Sequence, residues 1–176
     1  FAASQYILDA GPLDPELNHT GGVAVLTTAP FKAIPYKPVG PNYSKAYDMG
    51  RIAAHWIEIG CDTCLCWNIY GWTGGGCKSG DGEKSNEAAQ RTDDLVQIMQ
   101  EETHAHTNIL SMCCTDLNCS TDDLPTFSQL LDNQTWIDCG ARASTWGGID
   151  NQYTCKANKL AKESRIDHIF VNAALY

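Results

Sequence analysis

The chain has 176 residues, of which 43% are apolar and 19% charged. This length is enough for one domain with a substantial core, and this composition is too apolar for a disordered tail. No apolar stretch approaches the roughly 20 residues of a membrane-spanning helix. The net charge of −9 argues against non-specific nucleic-acid binding, which usually needs a basic patch, although catalytic carboxylates would also add negative charge.

The nine cysteines are an odd number and fall below the density of a disulfide scaffold. Four of them, Cys64, Cys66, Cys113 and Cys114, lie within apolar stretches. We interpret them as reduced cysteines that pack as small hydrophobic residues, which is simpler than a disulfide scaffold. We therefore expect an intracellular, reducing compartment, with the nucleus as one option.

The first half of the chain favours hairpins. Residues 1–20 have turn signals and no periodicity, so they are predicted to be irregular. Residues 23–26 form a β-rich run, and residues 31–36 are predicted to be its return strand. Two further strands are predicted at residues 51–59 and 64–70, separated by a short loop of hairpin length.

The second half of the chain contains both predicted helices. Residues 83–103 have one apolar face, with Ser85 or Asn86 as the N-cap; that face contains Ala88, Thr92, Leu95, Val96 and Met99. A strand that ends at Cys114 follows, then a helix at residues 124–131 capped by Asp123. The last strand is predicted at residues 165–171. Hairpins mixed with two helices predict a layered α/β sandwich.

Two segments place polar groups where catalytic side chains often stand. Asp116 and Asn118 directly follow the apolar run 108–114, so they project beyond the end of a buried strand. Asp and Asn are also common turn formers, so this pattern alone is weak. Asp167 lies inside an apolar strand, where a carboxylate needs a partner such as a histidine or a metal. Tyr70, by itself, reads as a strand aromatic packed on the core.

Four segments in order resemble successive motifs of the endonuclease/exonuclease/phosphatase superfamily. They are Gly21-Gly22-Val23-Ala24-Val25-Leu26, Asn68-Ile69-Tyr70-Gly71, Thr115-Asp116-Leu117-Asn118 and Ser164-Arg165-Ile166-Asp167-His168-Ile169. The resemblance extends from about Gly21 to the end of the chain. It is strongest to the endonuclease domains encoded with reverse transcriptases in non-LTR retroelements, where Asn-Ile-Tyr and Arg/Lys-Ile-Asp-His-Ile recur.

The resemblance implies an α/β, DNase I-like layered β-sandwich flanked by helices, and it implies roles for four residues. Asp116 would orient or deprotonate the attacking water, and Asn118 would hold the water and the phosphate. Both would serve as ligands for Mg²⁺, or for Mn²⁺ in its place. Tyr70 would contact the scissile phosphate, and Asp167 would pair with a catalytic histidine.

The sequence departs from the family pattern in three ways. Opening strands with an Asn and a metal-binding Glu would precede Phe1, and a closing Ser-Asp-His segment would follow Tyr176. Thr115 stands where the family prefers Gly. His168 is not expected to replace the missing histidine, because neighbouring strand residues point to opposite faces. We therefore expect residues 1–176 to be a single, incomplete domain with weak or absent Mg²⁺ binding.

The favoured hypothesis is a fragment of a Mg²⁺-dependent phosphodiesterase, a DNA-nicking endonuclease of retroelement type, which is inactive as given. DNA would be its substrate, with no membrane involved; the oligomeric state is left open. A phosphomonoesterase or lipid phosphodiesterase of the same superfamily is the alternative, and the acidic pI of about 4.8 favours it. A degenerate, non-catalytic fragment is the second alternative, so whether the chain is an enzyme stays open.

Overall fold

The computed structural model describes residues 6–15, 22–74, 82–156, 159 and 162–176. The eight strands there are β1 (Tyr6–Ala10), β2 (Ala24–Thr28), β3 (Lys32–Pro35), β4 (Ile52–Ile59), β5 (Asp62–Tyr70), β6 (Leu110–Asp116), β7 (Trp136–Asp138) and β8 (Asp167–Asn172). The helices are α1 (Pro41–Asp48), α2 (Gly82–His104) and α3 (Pro125–Asp132). Short 3-10 segments occur at Thr121–Asp123 and Gly140–Trp146.

Six of the strands form one mixed sheet in the order β3-β4-β5-β6-β8-β7, and β1 pairs separately with β2. Only β5 and β6 run parallel; the other neighbours are antiparallel. A parallel pair needs a crossover connection, and α2 lies within the one between these two strands. Because β5 and β6 are parallel, their C-terminal ends lie at the same edge of the sheet.

The hydrophobic core lies between the helices and one face of this sheet. Alternate residues of the central strands point to it, because side chains in a strand alternate between faces. The fully buried members include Ile52, Leu65, Trp67, Ile69, Leu95, Val96, Met99, Phe127 and Phe170. Phe127 of α3 packs on Phe170 of β8 with ring centroids 4.2 Å apart, which fixes α3 against the sheet.

The opposite face of the sheet meets the β1–β2 pair. The His55 ring Nε2 lies 2.8 Å from the Asp9 carboxylate, which joins β4 to β1. Ile169 of β8, on the same face as Asp167, stays 49% exposed. This face of the sheet therefore remains open beside β8, and the candidate site lies there.

The strongly periodic segments are predicted well. Helix α2 matches the predicted span, and its predicted apolar face is buried apart from the partly buried Ala88. β4 and β5 form the predicted hairpin, although its loop is shorter, with Gly60 at a φ of +64°. The predicted strands at residues 23–26, before Cys114 and at 165–171 correspond to β2, β6 and β8. The predicted α/β class is confirmed.

Several predicted elements are wrong. Residues 1–20 are not wholly irregular, because Tyr6–Ala10 forms β1 against β2. β3 is not the return strand of β2; a turn closed by the Phe31 N–H and the Thr28 carbonyl sends it to pair with β4. Helix α1 was not predicted, although Pro41 at its first position is a recognised helix start.

The capping predictions also fail, and β7 was missed. Helix α2 begins at Gly82, so Ser85 and Asn86 lie inside it. Leu124 is the N-cap of α3, and Asp123 belongs to the preceding 3-10 segment. β7 has only three residues, which is too short for a visible alternation. Gly21 of the first motif lies outside the described residues.

Two expectations from composition can be compared with the structure. The eight cysteines in the described ranges are all free thiols, and Cys64, Cys66, Cys113 and Cys119 are buried. Cys64, Cys66 and Cys113 therefore pack as small apolar side chains, as expected, whereas Cys114 is only partly buried. Within the same ranges, no helix is long and apolar enough to cross a bilayer.

Candidate active site

Three of the four predicted site residues lie side by side on three adjacent strands. Tyr70 of β5 is in register with Asp116 of β6, and Asp116 is in register with Asp167 of β8. Residues in register project from the same face of a sheet. All three line one cleft of about 740 Å³ on the open face. Residues almost a hundred positions apart in the sequence are thus brought into one row.

Of the two carboxylates in the row, Asp116 is more buried than Asp167. Burial raises its pKa above the ordinary value, the hydrogen bond from the Asn118 N–H opposes that rise, and the negative charge of Asp167 adds to it. That hydrogen bond joins the Asn118 nitrogen to Asp116 Oδ1 at 3.1 Å. Two neighbouring carboxylates that repel each other favour either a shared proton or a bound cation. The pair is therefore suited to proton transfer or to a metal.

Asn118 lies at the same edge of the sheet but outside the cleft wall. Its backbone is left-handed, with φ +55°, and its amide Nδ2 donates to the Gly71 carbonyl at 3.0 Å. The Gly71 N–H in turn donates to the Asp116 carbonyl at 2.7 Å. Asn118 therefore ties the end of β5 to the end of β6. Its predicted contact with water, phosphate and metal stays a prediction.

Asp167 is exposed in the cleft, and its backbone is held by a residue that sequence reasoning missed. Thr154 Oγ1 accepts the N–H groups of both Ile166 and Asp167, each at 3.1 Å. Thr154 lines the cleft as well. A threonine in a loop before the last strand gives little signal in a single sequence. Thr154 therefore holds the backbone of Asp167 beside Asp116 on the neighbouring strand.

His168 projects from the face of the sheet opposite to Asp167, and strand alternation predicts this arrangement. It is buried on the helix-covered face, where its ring stacks on Phe170 with centroids 5.2 Å apart. Its Nδ1 lies 3.3 Å from the Asp138 carboxylate. Thr115, the departure from the family pattern, also points to this face, being in register with His168. Asp167 has no hydrogen-bonded histidine among the described residues.

A buried ion pair supports the strand that carries Asp167. The Arg165 guanidinium donates to both carboxylate oxygens of Asp138, one bond being 2.8 Å long between Nη1 and Oδ2. Burial would raise the pKa of Asp138, but the hydrogen bonds and charges of His168 and Arg165 outweigh burial and lower it to about 2. A side chain at Gly140 would overlap the guanidinium. Asp138 was not predicted, because β7 itself was missed.

Asn68 is a further residue of the cleft wall with unsatisfied hydrogen-bonding capacity. It precedes Tyr70 by two positions, so it projects from the same face. Its amide Nδ2 is buried and has no partner in the part of the chain that the structure describes. Sequence reasoning quoted Asn68 as part of a motif but gave it no role. A ligand or substrate oxygen in the cleft would satisfy this donor.

The described residues do not by themselves complete a metal site. Asp116 and Asp167 offer charged oxygen ligands, the type that Mg²⁺ prefers. No group of three His, Cys, Asp or Glu side chains lies close enough to hold a metal, as far as the described ranges show. Two adjacent carboxylates fit a weakly held, largely hydrated cation better than a closed site.

Comparison with known proteins identifies the architecture. No family model matches the sequence, and no curated protein resembles it closely enough to count as a match. D. rerio TDP2 complexed with a single-strand DNA product has 11% identity and a TM-score of 0.63, over 95% of this chain and 62% of that one. A Bacteroides thetaiotaomicron mannosyl-6-phosphatase has 15% identity and a TM-score of 0.59, over 96% and 63%. An endonuclease/exonuclease/phosphatase family protein from the same organism has 13% identity and a TM-score of 0.57, over 96% and 61%.

The chain has the DNase I-like fold. It covers less than two thirds of the length of each of these proteins. At such low identity the likeness establishes the architecture and leaves the activity open. None of the three is a retroelement protein, so that subtype stays a prediction.

Proposed function

We propose that this chain supplies the catalytic carboxylates of a DNase I-like phosphodiesterase, and that the full-length protein is a DNA-nicking endonuclease of retroelement type. The observation that supports this most is the row of Tyr70, Asp116 and Asp167 across three adjacent strands of one cleft. The fold hosts several chemistries, so the proposal rests on these side chains and not on the fold.

Each residue of the row suits one requirement of phosphodiester hydrolysis. The reaction needs an activated water and stabilisation of the charge that develops on the phosphoryl oxygens. Asp116, with its raised pKa, is suited to orient the water and accept its proton. The Tyr70 hydroxyl can donate a hydrogen bond to a phosphoryl oxygen. Thr154 holds the backbone of Asp167. The carboxylate of Asp167 would pair with a catalytic histidine and fix its tautomer and charge.

A divalent cation, Mg²⁺ or Mn²⁺, would supply charge neutralisation at the phosphate when bound. Asp116 is its proposed main ligand, and Asn118 is the proposed second one. The Asn118 Nδ2 group donates to the Gly71 carbonyl, so a metal would have to bind the side-chain Oδ1 of Asn118. This engagement is one reason to expect weak binding.

Cleft charge favours a phosphodiester over a phosphomonoester substrate. The basic side chains among the described residues that line the cleft are Arg165 and His168, and Asp138 already pairs with both. A phosphomonoester is a dianion near neutral pH and needs more positive charge than a singly charged diester. The phosphomonoesterase alternative keeps support from the similar mannosyl-6-phosphatase fold and from the net charge of −9.

Parallel hydrolysis assays test the proposal. The full-length protein, with Mg²⁺ or Mn²⁺, would be compared on supercoiled plasmid, on bis(4-nitrophenyl) phosphate and on 4-nitrophenyl phosphate. We expect nicking and diester hydrolysis to exceed monoester hydrolysis. A clear preference for the monoester would favour the phosphatase alternative. No hydrolysis of any substrate would favour the non-catalytic alternative.

A further inference from the structure

The loop between β7 and β8 presents large apolar side chains to solvent at the rim of the cleft. Trp146 is 60% exposed, Ile149 69% and Tyr153 58%. Ile149 also lines the cleft that contains Asp116 and Asp167. Single exposed apolar residues are ordinary, whereas several on one loop beside a polar site indicate an interaction surface.

Hydrogen bonds hold residues 140–151 of this loop together, so the exposure of Trp146 and Ile149 does not result from fraying. The Ser144 N–H donates to Asp150 Oδ1 at 2.6 Å, and the Ser144 hydroxyl donates to Asp150 Oδ2 at 2.8 Å. The Asn151 N–H donates to the Gly140 carbonyl at 2.9 Å, which closes the base of the loop. The hydrogen bonds from Ser144 lower the pKa of Asp150, so its charge is already satisfied. A preorganised loop loses little freedom when a ligand binds.

The exposed indole and a cation both contact the ring of Tyr176. The ring centroids of Trp146 and Tyr176 are 6.0 Å apart at 83°, and the Arg142 guanidinium carbon lies 5.3 Å from the same Tyr176 centroid. Arg142 is exposed. Its guanidinium has no carboxylate partner among the residues the structure describes. An aromatic face and an available guanidinium therefore occur together in a chain of strongly negative net charge.

We infer that Trp146, Ile149 and Arg142 form a stacking ledge for the unpaired nucleobases of a strand whose phosphodiester lies at Asp116. This inference rests on the proposed function and names its substrate more closely, as a DNA segment whose bases are locally unpaired. A nucleic-acid strand alternates a flat base with an anionic phosphate, which matches an indole and a guanidinium that contact the same tyrosine ring. An apolar protein segment would pack on the Trp146 indole but would not pair with the Arg142 guanidinium. Ile149 connects the ledge with the cleft.

The test measures binding in EDTA, so that hydrolysis plays no part. Fluorescence anisotropy would compare labelled oligothymidylate with a strand of equal length built from abasic deoxyribose phosphates. The wild-type protein should prefer the strand that carries bases. Trp146→Ala should weaken binding of oligothymidylate roughly tenfold and remove the preference, whereas Trp146→Phe should keep most of it. Arg142→Ala should weaken both strands equally.

Matched controls keep the outcome interpretable. Phe31→Ala removes another aromatic side chain, 46% exposed and outside the cleft lining, and should leave both affinities unchanged. Equal wild-type affinity for the two strands would overturn the ledge, and so would a base preference that survives in Trp146→Ala. Self-association that depends on Trp146, measured by sedimentation, would assign the surface to a second copy instead. If the protein prefers the strand that carries bases but hydrolyses no phosphodiester when Mg²⁺ is present, the proposed function is contradicted and the ledge is supported.

Discussion

At the scale of single residues, the Asp138–Arg165 pair is the contact with the clearest energetic consequence. Arg165 stands two positions before Asp167, and both partners of the pair are nearly buried. Removing one partner of a buried pair leaves an uncompensated charge, which costs more than the pair contributes. The pair therefore matters for the position of Asp167 as well as for stability.

Asp138→Asn should lower the free energy of unfolding by roughly 2 to 4 kcal/mol, because the Arg165 charge loses its partner. Urea denaturation at neutral pH measures this loss. Asp122→Asn is the matched control, since Asp122 is exposed in the 3-10 segment and its carboxylate makes no hydrogen bond or ion pair within the described part of the chain. A loss in the control as large as that in Asp138→Asn would contradict this account of the pair.

The same pair predicts an acid dependence of stability. The pKa of Asp138 is about 2 in the folded chain and near 3.8 when unperturbed. Because the folded pKa is depressed, its stabilisation, on the order of 2 kcal/mol, is fully present above about pH 4 and is lost as the pH falls through about 2. Urea midpoints across that window should fall more steeply in the wild type than in Asp138→Asn. Parallel profiles would show that Asp138 is not the group responsible.

At the scale of elements, the junction between β5 and β6 positions the site. The turn after β5 packs so closely on the end of β6 that a side chain at Gly71 would overlap the Leu117 carbonyl. The Asn118 amide fastens the same junction. The spacing of Tyr70 and Asp116 therefore depends on a glycine that does not line the cleft.

Gly71→Ala should destabilise the chain by roughly 3 kcal/mol, since the overlap is with backbone that cannot rotate away. Gly60→Ala is the comparison: its φ of +64° is unfavourable for alanine, but nothing lies within 4 Å of the added carbon. That variant should lose only about 1 kcal/mol. Thermal and urea unfolding of both variants measure the difference. A smaller loss in Gly71→Ala than in Gly60→Ala would show that the turn adapts.

Sequence patterns predict some elements and miss others for identifiable reasons. Helix α2 and the β4–β5 hairpin follow from long apolar periodicities. β7 was missed because three residues carry no period, and with it Asp138 was missed. β3 was paired wrongly because sequence proximity favoured β2, whereas the partner is chosen by tertiary packing.

The site was predicted through motifs, and its supporting groups were not. Tyr70, Asp116 and Asp167 stand in recognisable motifs, and the register places them in one row. Thr154 and Asp138 act through contacts across 13 and 27 residues, which no local pattern encodes. Whether Asn118 contacts a substrate depends on the direction of its side chain, which a sequence does not specify.

At the scale of the whole molecule, metal affinity is the property that the described residues limit most. Asp116 and Asp167 provide two carboxylates, and a hydrated divalent cation held by so few charged ligands dissociates readily. Isothermal titration calorimetry of this chain with Mg²⁺ should give a dissociation constant weaker than roughly 10 µM. Tighter binding would mean that the ligands have been assigned to the wrong residues.

The central claim is that Asp116 acts chemically and is not simply a turn residue at the end of a strand. The most direct test is the rate of plasmid nicking by the full-length protein and by its Asp116→Ala variant, with Mg²⁺ present and folding confirmed by circular dichroism. Asp122→Ala, an exposed carboxylate outside the cleft, serves as the control and should nick at the wild-type rate. We expect Asp116→Ala to abolish nicking, a loss of at least about a hundredfold. Nicking by Asp116→Ala at the wild-type rate would contradict the claim and assign Asp116 to the structure of the turn.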